Sequence, residues 1–295
     1  MGFESCHPAV NLIFYVAAIY GSIVFDNPVF IAISYLCAFA YSVKRNGKKA
    51  LVFNLCLLPF VLIFALYYSS YTHFGLTVVQ KNFIGNNLTV ESFVYGLTIG
   101  IRVLSVVAWC ESLFNVFSSD KVVYLFGRVS PLLSLFLTII LRLIPRLKLE
   151  AKKINLAQKG IGMGTNQGNV LRRIRNCIRV FSMLITWMIG ALIQSSNSMR
   201  SRGSKLRGRT AFSIYRFDNR DRGFVIALFC GVTLTAMGVI LDIVKIYYDP
   251  VIIIKPFDLL SVIIAIGYAF LCLMPLGLEL WTEYKFNKAR KSVLQ

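Results

Sequence analysis

The sequence is poor in the residues from which catalytic and metal sites are built. It has 13 acidic residues and two histidines among 295, and its seven cysteines are scattered without a CxxC pair. His7 and His73 are far apart in the sequence, and the topology derived below places them on opposite sides of a membrane. We therefore expect no metal site and no disulfide framework, and we interpret the cysteines as small core residues.

Common nucleotide-binding motifs are missing as well. The chain has no GxxxxGK[ST] loop. Residues 160–164, with the sequence GIGMG, resemble a dinucleotide fingerprint only superficially, because the final glycine is absent at the required spacing and the motif follows a predicted helix. These absences predict a chain that is not an enzyme and that binds no cofactor.

Long hydrophobic runs are abundant. Hydrophobic residues make up 57% of the chain and charged residues 15%, with a mean hydropathy of +0.67, which excludes an ordinary soluble domain. About 20 apolar residues cross a hydrocarbon core of ~30 Å as a helix, with shorter spans tolerated. Six blocks qualify: residues 9–25, 29–43, 50–68, 90–116, 224–244 and 257–280. The first two are short and closely spaced, so the sequence predicts an all-α integral membrane protein with about six transmembrane helices and a short first hairpin.

Basic residues predict the orientation. One alternating set of loops, together with the tail, holds 28 Lys and Arg residues, whereas the opposite set holds three. Under the positive-inside rule the basic side is cytoplasmic. We expect a multi-pass protein of the cell (inner or plasma) membrane with both termini in the cytoplasm.

The segment 117–222 carries most of the net charge. It contains 20 basic and four acidic residues, and so supplies +16 of the total +19. Its apolar runs, 131–141 and 181–193, are too short to span a bilayer and too hydrophobic for a solvated surface. They predict long amphipathic cytoplasmic helices at the membrane surface. The chain is thus divided into N-terminal transmembrane helices (1–116), this surface region (117–222), and a C-terminal transmembrane pair with its tail (223–295).

Residue spacing predicts two helices in the second half of this segment. One begins near Pro145 and ends in the glycine-rich stretch 160–168. The other opens near Val170, and its apolar face recurs every three or four positions, at Ile174, Ile178, Phe181, Ile185, Met188, Leu192, Ser195 and Met199. Each ends in a basic, glycine-containing tip. We call Lys159-Gly160-Ile161-Gly162 the first tip and Arg200-Ser201-Arg202-Gly203 the second tip.

The basic stretch 200–209 is open to three interpretations. These interpretations are an RNA contact, a topology signal or phospholipid contact, and a binding site for a protein partner. No aromatic platform is interleaved within it, which argues against nucleic acid as a partner. Its charge lies at a helix end, where a rigid element can enter an acidic groove, and this favours a protein partner.

Arg102 lies inside the predicted fourth span. A guanidinium at that depth costs several kcal/mol if it faces lipid, so we expect it to face the helix bundle or a partner. Glu111 is nine residues further on and about half a turn around the helix, so the two residues are not expected to pair.

These motifs resemble the transmembrane T-component of energy-coupling factor (ECF) transporters, the EcfT/CbiQ family, over nearly the whole chain. The loop before the fourth span has the family's His-x-Gly element, His73-Phe74-Gly75. An Arg-x-x-Pro-Arg element, residues 142–146, enters a cytoplasmic helix, and residues 154–159 follow it with the sequence INLAQK. Most specific are two Ala-Arg-Gly motifs at the ends of two coupling helices. Ser201-Arg202-Gly203 matches the second, and it is followed by Gly208-Arg209-Thr210.

The resemblance implies a coupling subunit with three protein partners in the lipid bilayer. These are two cytoplasmic ABC-type ATPases and a substrate-binding S-component that captures a vitamin or a Ni or Co ion. The tips would contact the ATPases. Ser201 replaces the family's alanine, and Gly160-Ile161-Gly162 lacks the arginine of the first motif, so Lys159 is the substitute expected there. A stand-alone carrier or channel and a membrane-embedded enzyme remain as alternatives.

Overall fold

A computed structural model describes residues 2–72, 74–81, 87–203, 206, 215, 217–241, 246–248, 252–253 and 258–294. These residues contain nine α-helices: α1 (Pro8–Val24), α2 (Pro28–Asn46), α3 (Lys48–Tyr71), α4 (Val90–Val116), α5 (Ser119–Val129), α6 (Pro131–Gly160), α7 (Val170–Ser201), α8 (Asn219–Ile240) and α9 (Leu259–Leu294). Two short antiparallel strands, β1 (Val78–Lys81) and β2 (Asn87–Thr89), precede α4. His73, residues 204–205 and the motif Gly208-Arg209-Thr210 lie outside the described residues.

Five of the described helices are long and apolar enough to cross a membrane, and the chain is an all-α membrane protein. They are α3, α4, α7, α8 and α9. Two of the six predicted spans fall outside this set. α1 has only 17 residues, and α2 ends in a polar turn with Lys44 and Arg45. Each helix buries one side in the protein core and leaves the other uncovered, with Val16 of α1 and Leu36 of α2 more than half exposed.

α7 joins the set because its apolar run is continuous with a 32-residue helix. Residues 181–193 alone are too short to span a bilayer, and on that basis the sequence predicts a helix at the membrane surface. Length and composition do not distinguish a crossing helix from one that lies along the surface, so the surface placement of α7 stays a prediction.

The helices form two compact units, of which the larger comprises residues 1–118 and 215–295. Its core is aromatic: Phe14, Tyr15, Tyr41, Trp109 and Tyr268 are fully buried or nearly so. The Trp109 indole N–H donates to Ser34 Oγ at 3.0 Å, which joins α4 to α2. Buried aromatic rings thus supply the contact area, and a serine hydroxyl satisfies the indole N–H.

Close approach of α3 and α4 depends on small residues. A Cβ at Gly96 would lie 3.2 Å from the Cα and carbonyl O of Ala65, and a Cβ at Gly100 would lie 2.7 Å from Val61 Cγ1. Small residues four apart allow two helix backbones to pack tightly in lipid, where van der Waals contact drives association.

Polar residues of α4 join it to the first hairpin and to α3. Arg102 pairs with Asp26 in the turn between α1 and α2. Glu111 accepts hydrogen bonds from Ser42 and Asn46 of α2 and Asn54 of α3. As expected, Arg102 faces the bundle and does not pair with Glu111.

The smaller unit, residues 119–214, contains α5, α6 and α7. The prediction that a helix begins near Pro145 is wrong, because α6 runs without interruption from Pro131 to Gly160. Proline removes one backbone hydrogen bond, but the helix-forming Leu, Arg and Lys residues on both sides maintain the helix.

The prediction for the cysteines holds for only part of the set. All seven are free thiols; Cys6, Cys37 and Cys272 are buried, whereas Cys56, Cys177 and Cys230 are exposed. A helix that borders lipid presents apolar side chains outward, so an apolar sequence context does not imply burial.

Candidate functional site

All eight candidate residues are described by the structure, and both tips belong to the smaller unit. The second tip is the C-terminal end of α7, which ends at Ser201. The backbone N–H of Arg202 donates to the carbonyl of Ser198 at 3.3 Å, and the Gly203 N–H donates to the carbonyl of Arg200 at 3.0 Å. Gly203 has φ +74°, a left-handed conformation that glycine adopts without a Cβ clash. Arg202 is exposed and projects from a capped helix end.

The first tip is the C-terminal end of α6. Backbone N–H groups of Ile161 and Gly162 donate to the carbonyls of Gln158 and Lys159 at 3.2 and 3.1 Å, and the Met163 N–H donates to Gln158 at 2.9 Å. Gly162 has φ +77°. The 6→1 and 5→2 bonds together are a Schellman motif, which satisfies the last carbonyls of a helix.

The two tips share one backbone conformation. Ile161 has φ −95° and ψ 6°, Arg202 has φ −84° and ψ 9°, and each is followed by a left-handed glycine. Ile161 therefore occupies the position in the first tip that Arg202 occupies in the second. The first tip therefore has an isoleucine in place of the expected arginine. Its helix end is intact and has the same backbone geometry as the second.

Lys159, the expected substitute for that arginine, lies two residues before the shared position. A Cβ at Gly164 would come within 2.3 Å of Lys159 Cγ, so the stem of the lysine crosses the loop that follows the tip. Lys159 is also in the last turn of α6, where a cation is favourable beside the partial negative charge of the helix end.

The loop from the first tip to α7 is held by asparagine side chains. Asn155 Oδ1 accepts hydrogen bonds from the backbone N–H and the hydroxyl of Thr165, both at 3.1 Å. The buried Asn176 of α7 donates to the carbonyl of Gly164 at 3.1 Å. Neither asparagine was predicted to have a role. Asn155 is half-buried and Asn176 buried, and burial is not visible in one sequence.

The structure separates the two tips along one helix. Because the loop joins α6 to the N-terminal end of α7, the first tip lies at that end and the second at the opposite end. α7 has 32 residues, so its axis is about 48 Å long. The tips can therefore contact two different partners, or two distant places on one.

The charged residues around both tips are all basic. The chain has no Asp or Glu between Glu150 and Asp218. Exposed cations at the start of α7 include Arg172, Arg173 and Arg175. A surface of this kind attracts an acidic partner.

The predicted apolar face of α7 is mostly exposed. Ile174, Ile178 and Phe181 are more than half exposed, whereas Asn176 and Val180 on another face are buried. The face that sequence periodicity identifies is therefore not packed within the smaller unit, and it is open to lipid or to a partner.

Among the described residues, no three His, Cys, Asp or Glu side chains come close enough to hold a metal ion. What the two tips offer chemically is docking: rigid helix ends with exposed side chains, close to positive charge.

One comparison with known proteins identifies a family. A family described as CbiQ, cobalt transport protein, matches residues 4–211, a range that contains both tips. No match was found among curated proteins.

Proposed function

The chain belongs to the CbiQ family of cobalt transport proteins, and on this basis we propose that it is the transmembrane scaffold subunit of an ECF-type ABC importer. In this role it couples ATP hydrolysis by two cytoplasmic ATPase subunits to uptake of a vitamin or a Ni or Co ion held by a separate S-component. It is a non-catalytic subunit, with its N- and C-termini in the cytoplasm.

The observation that carries this proposal is the pair of capped helix ends. Two tips of equal backbone conformation, at opposite ends of a helix about 48 Å long, match the need to hold two ATPase subunits at once. The excess of basic residues on the side that contains the tips supports the cytoplasmic placement of both.

The two long helices provide the mechanical link. α6 and α7 have 30 and 32 residues and are joined by the loop that Asn155 and Asn176 anchor. When ATP binding brings the two ATPases together, the grooves that hold the tips approach each other. The helices then tilt as levers, because packed helices move as rigid bodies.

Arg202 makes the contact at the second tip. Its guanidinium forms a charge-assisted hydrogen bond to a carboxylate in the ATPase groove, and the left-handed Gly203 lets the groove approach the backbone closely. Truncating one partner of such a buried pair costs about 2–5 kcal/mol, which is enough to separate the subunits.

The exposed apolar face of α7 is the proposed contact for the membrane-embedded S-component. Its large side chains, among them Ile174, Ile178 and Phe181, form an uncovered apolar surface. Movement of α7 by the ATPases is then transmitted directly to the protein that holds the substrate.

Co-purification tests this function. The affinity-tagged chain is expressed with the ATPases and S-component of its own source, and bound subunits are identified by mass. Wild type is expected to recover both kinds of subunit, and Arg202→Glu to lose ATPase while it keeps the S-component. Lys152→Glu, the same charge reversal at an exposed site within α6, is the control and should behave as wild type. If well-folded wild type recovers no ATPase, the proposal is wrong.

A further inference from the structure

The residue at the shared tip position differs in chemistry between the two helix ends. Ile161 is 69% exposed, although a branched aliphatic side chain gains nothing from water. It lies on a backbone fixed by three hydrogen bonds and by the left-handed Gly162. The first tip thus presents a rigid apolar side chain where the second presents a guanidinium.

Cations lie close to this apolar side chain. Lys159 is two residues away, and α7 brings Arg179 to the loop, where its guanidinium contacts Met163 Sδ. Arg172 and Arg175 are exposed on the same end of α7, and no acidic residue lies within the loop. A complementary surface therefore has an apolar floor and an acidic rim.

We propose that the first tip is a docking element that its partner recognises through Ile161, in a groove with an apolar floor and a carboxylate-bearing rim. This rests on the proposed function, since the partner is one of the two ATPase subunits. The second ATPase receives Arg202 instead, so the complex contains two docking grooves of different chemistry.

The geometry favours a protein groove over a lipid surface. Insertion into lipid requires only that apolar side chains face the bilayer, and it does not require a fixed backbone. Here the first tip keeps the same cap conformation as the second, and the following loop is anchored to both helices by Asn155 and Asn176. A defined shape of this kind serves a partner that is itself structured.

The test replaces Ile161 in the full complex and counts ATPase subunits. Wild type, Ile161→Val and Ile161→Arg are co-purified with both ATPases and the S-component without nucleotide, and copies per scaffold are counted by native mass spectrometry. Ile161→Val should keep two ATPase copies. Ile161→Arg restores an arginine to the tip, yet it should reduce complexes with two copies at least tenfold, because the guanidinium must enter an apolar groove.

Leu156→Arg is the matched control. Leu156 is 72% exposed on the same helix, five residues before Ile161, so it receives the same new charge outside the tip. It should retain wild-type stoichiometry. Retention of both ATPases by Ile161→Arg would overturn the inference.

A photoreactive residue placed at position 161, and separately at 202, identifies what each tip touches. Position 161 should crosslink to an ATPase segment with apolar residues and flanking Asp or Glu. Crosslinking of position 161 to phospholipid alone would also overturn the inference, whereas ATPase crosslinks from position 202 would leave the proposed function intact. Absence of ATPase from the wild-type complex would instead contradict the proposed function itself.

Discussion

Arg102 of α4 forms an ion pair with Asp26, and the same guanidinium donates to the carbonyl of Phe25 at 3.1 Å. The turn between α1 and α2 is thereby fixed to the side of α4. An arginine within an apolar helix is costly when it has no partner, so this pair explains how the sequence tolerates Arg102.

Removing Asp26 and removing Arg102 should lower the stability of the protein by different amounts. Asp26→Ala leaves the Arg102 guanidinium, whose side chain is 21% exposed, without its carboxylate, whereas Arg102→Met leaves Asp26, which is 42% exposed and can be hydrated. We expect Asp26→Ala to be the more destabilising change. A double-mutant cycle by SDS titration in mixed micelles should give a coupling energy of about 1–3 kcal/mol. A coupling energy of zero would show that the pair contributes no stability.

Glu111 should be a strong determinant of stability at the other end of α4. It accepts hydrogen bonds from Ser42 at 2.9 Å, Asn46 at 3.0 Å and Asn54 at 3.4 Å. Glu111→Ala removes the acceptor that these three donors share and should lower the free energy of unfolding by about 1–3 kcal/mol. Glu111→Gln keeps one acceptor oxygen and should lose less.

The same unfolding assay checks this prediction, with Glu150→Ala as control. Glu150 pairs with Lys153, three residues further along the solvent-facing side of α6, and such pairs contribute about 0.3–0.5 kcal/mol. Equal losses for Glu111→Ala and Glu150→Ala would contradict the role of Glu111.

Gly96 should not accept a large side chain. Gly96→Leu places carbon atoms against the backbone of Ala65, which cannot move aside without separating α3 from α4. Overpacking of this kind costs about 1–3 kcal/mol, visible as a lower midpoint of thermal unfolding in detergent. Gly277→Leu in α9 is the control, because a Cβ there meets nothing within 4 Å. A similar midpoint for both variants would argue against close packing of α3 and α4.

Two glycines with positive φ allow the cost of backbone strain to be measured separately from the cost of a steric clash. Gly47 has φ +61° with nothing within 4 Å of a Cβ, whereas Gly75 has φ +110° and a Cβ there would lie 2.6 Å from Glu91 Oε2. Gly47→Ala should cost about 1–2 kcal/mol from backbone strain alone. Gly75→Ala should cost more, because it also displaces the carboxylate that accepts the Thr77 hydroxyl hydrogen bond at 2.6 Å. Thermal unfolding of the two variants side by side gives the difference, and a smaller loss at Gly75 would contradict this account.

Helix positions were largely predictable from the sequence. The apolar block 90–116 coincides with α4, and the spacing pattern that opens near Val170 coincides with α7. Hydrophobic length and the 3.6-residue period depend on neighbours in the chain, so one sequence is enough to find them. Proline is the exception: Pro145 was predicted to begin a helix, although α6 continues through it.

Side-chain partners were not predictable. That Arg102 faces the bundle followed from the cost of burying its charge, but its pairing with Asp26 depends on the packing of the first hairpin against α4. Asn155 and the buried Asn176 were missed for the same reason. Contacts between residues distant in sequence are set by tertiary packing, which a single sequence does not record.

Some properties of the two tips also follow from the sequence, and others follow only from the structure. Sequence alone determined that the chain is an all-α membrane protein, that its basic charge is concentrated in residues 117–222, and that two glycine-containing helix ends lie there, because each is a property of composition or short-range spacing. The family resemblance aligned Ile161 and Arg202 with the same motif position, but the structure alone decided that the two share one backbone conformation and lie at opposite ends of α7. That equivalence depends on dihedral angles and cap hydrogen bonds, which form only when each helix end has folded.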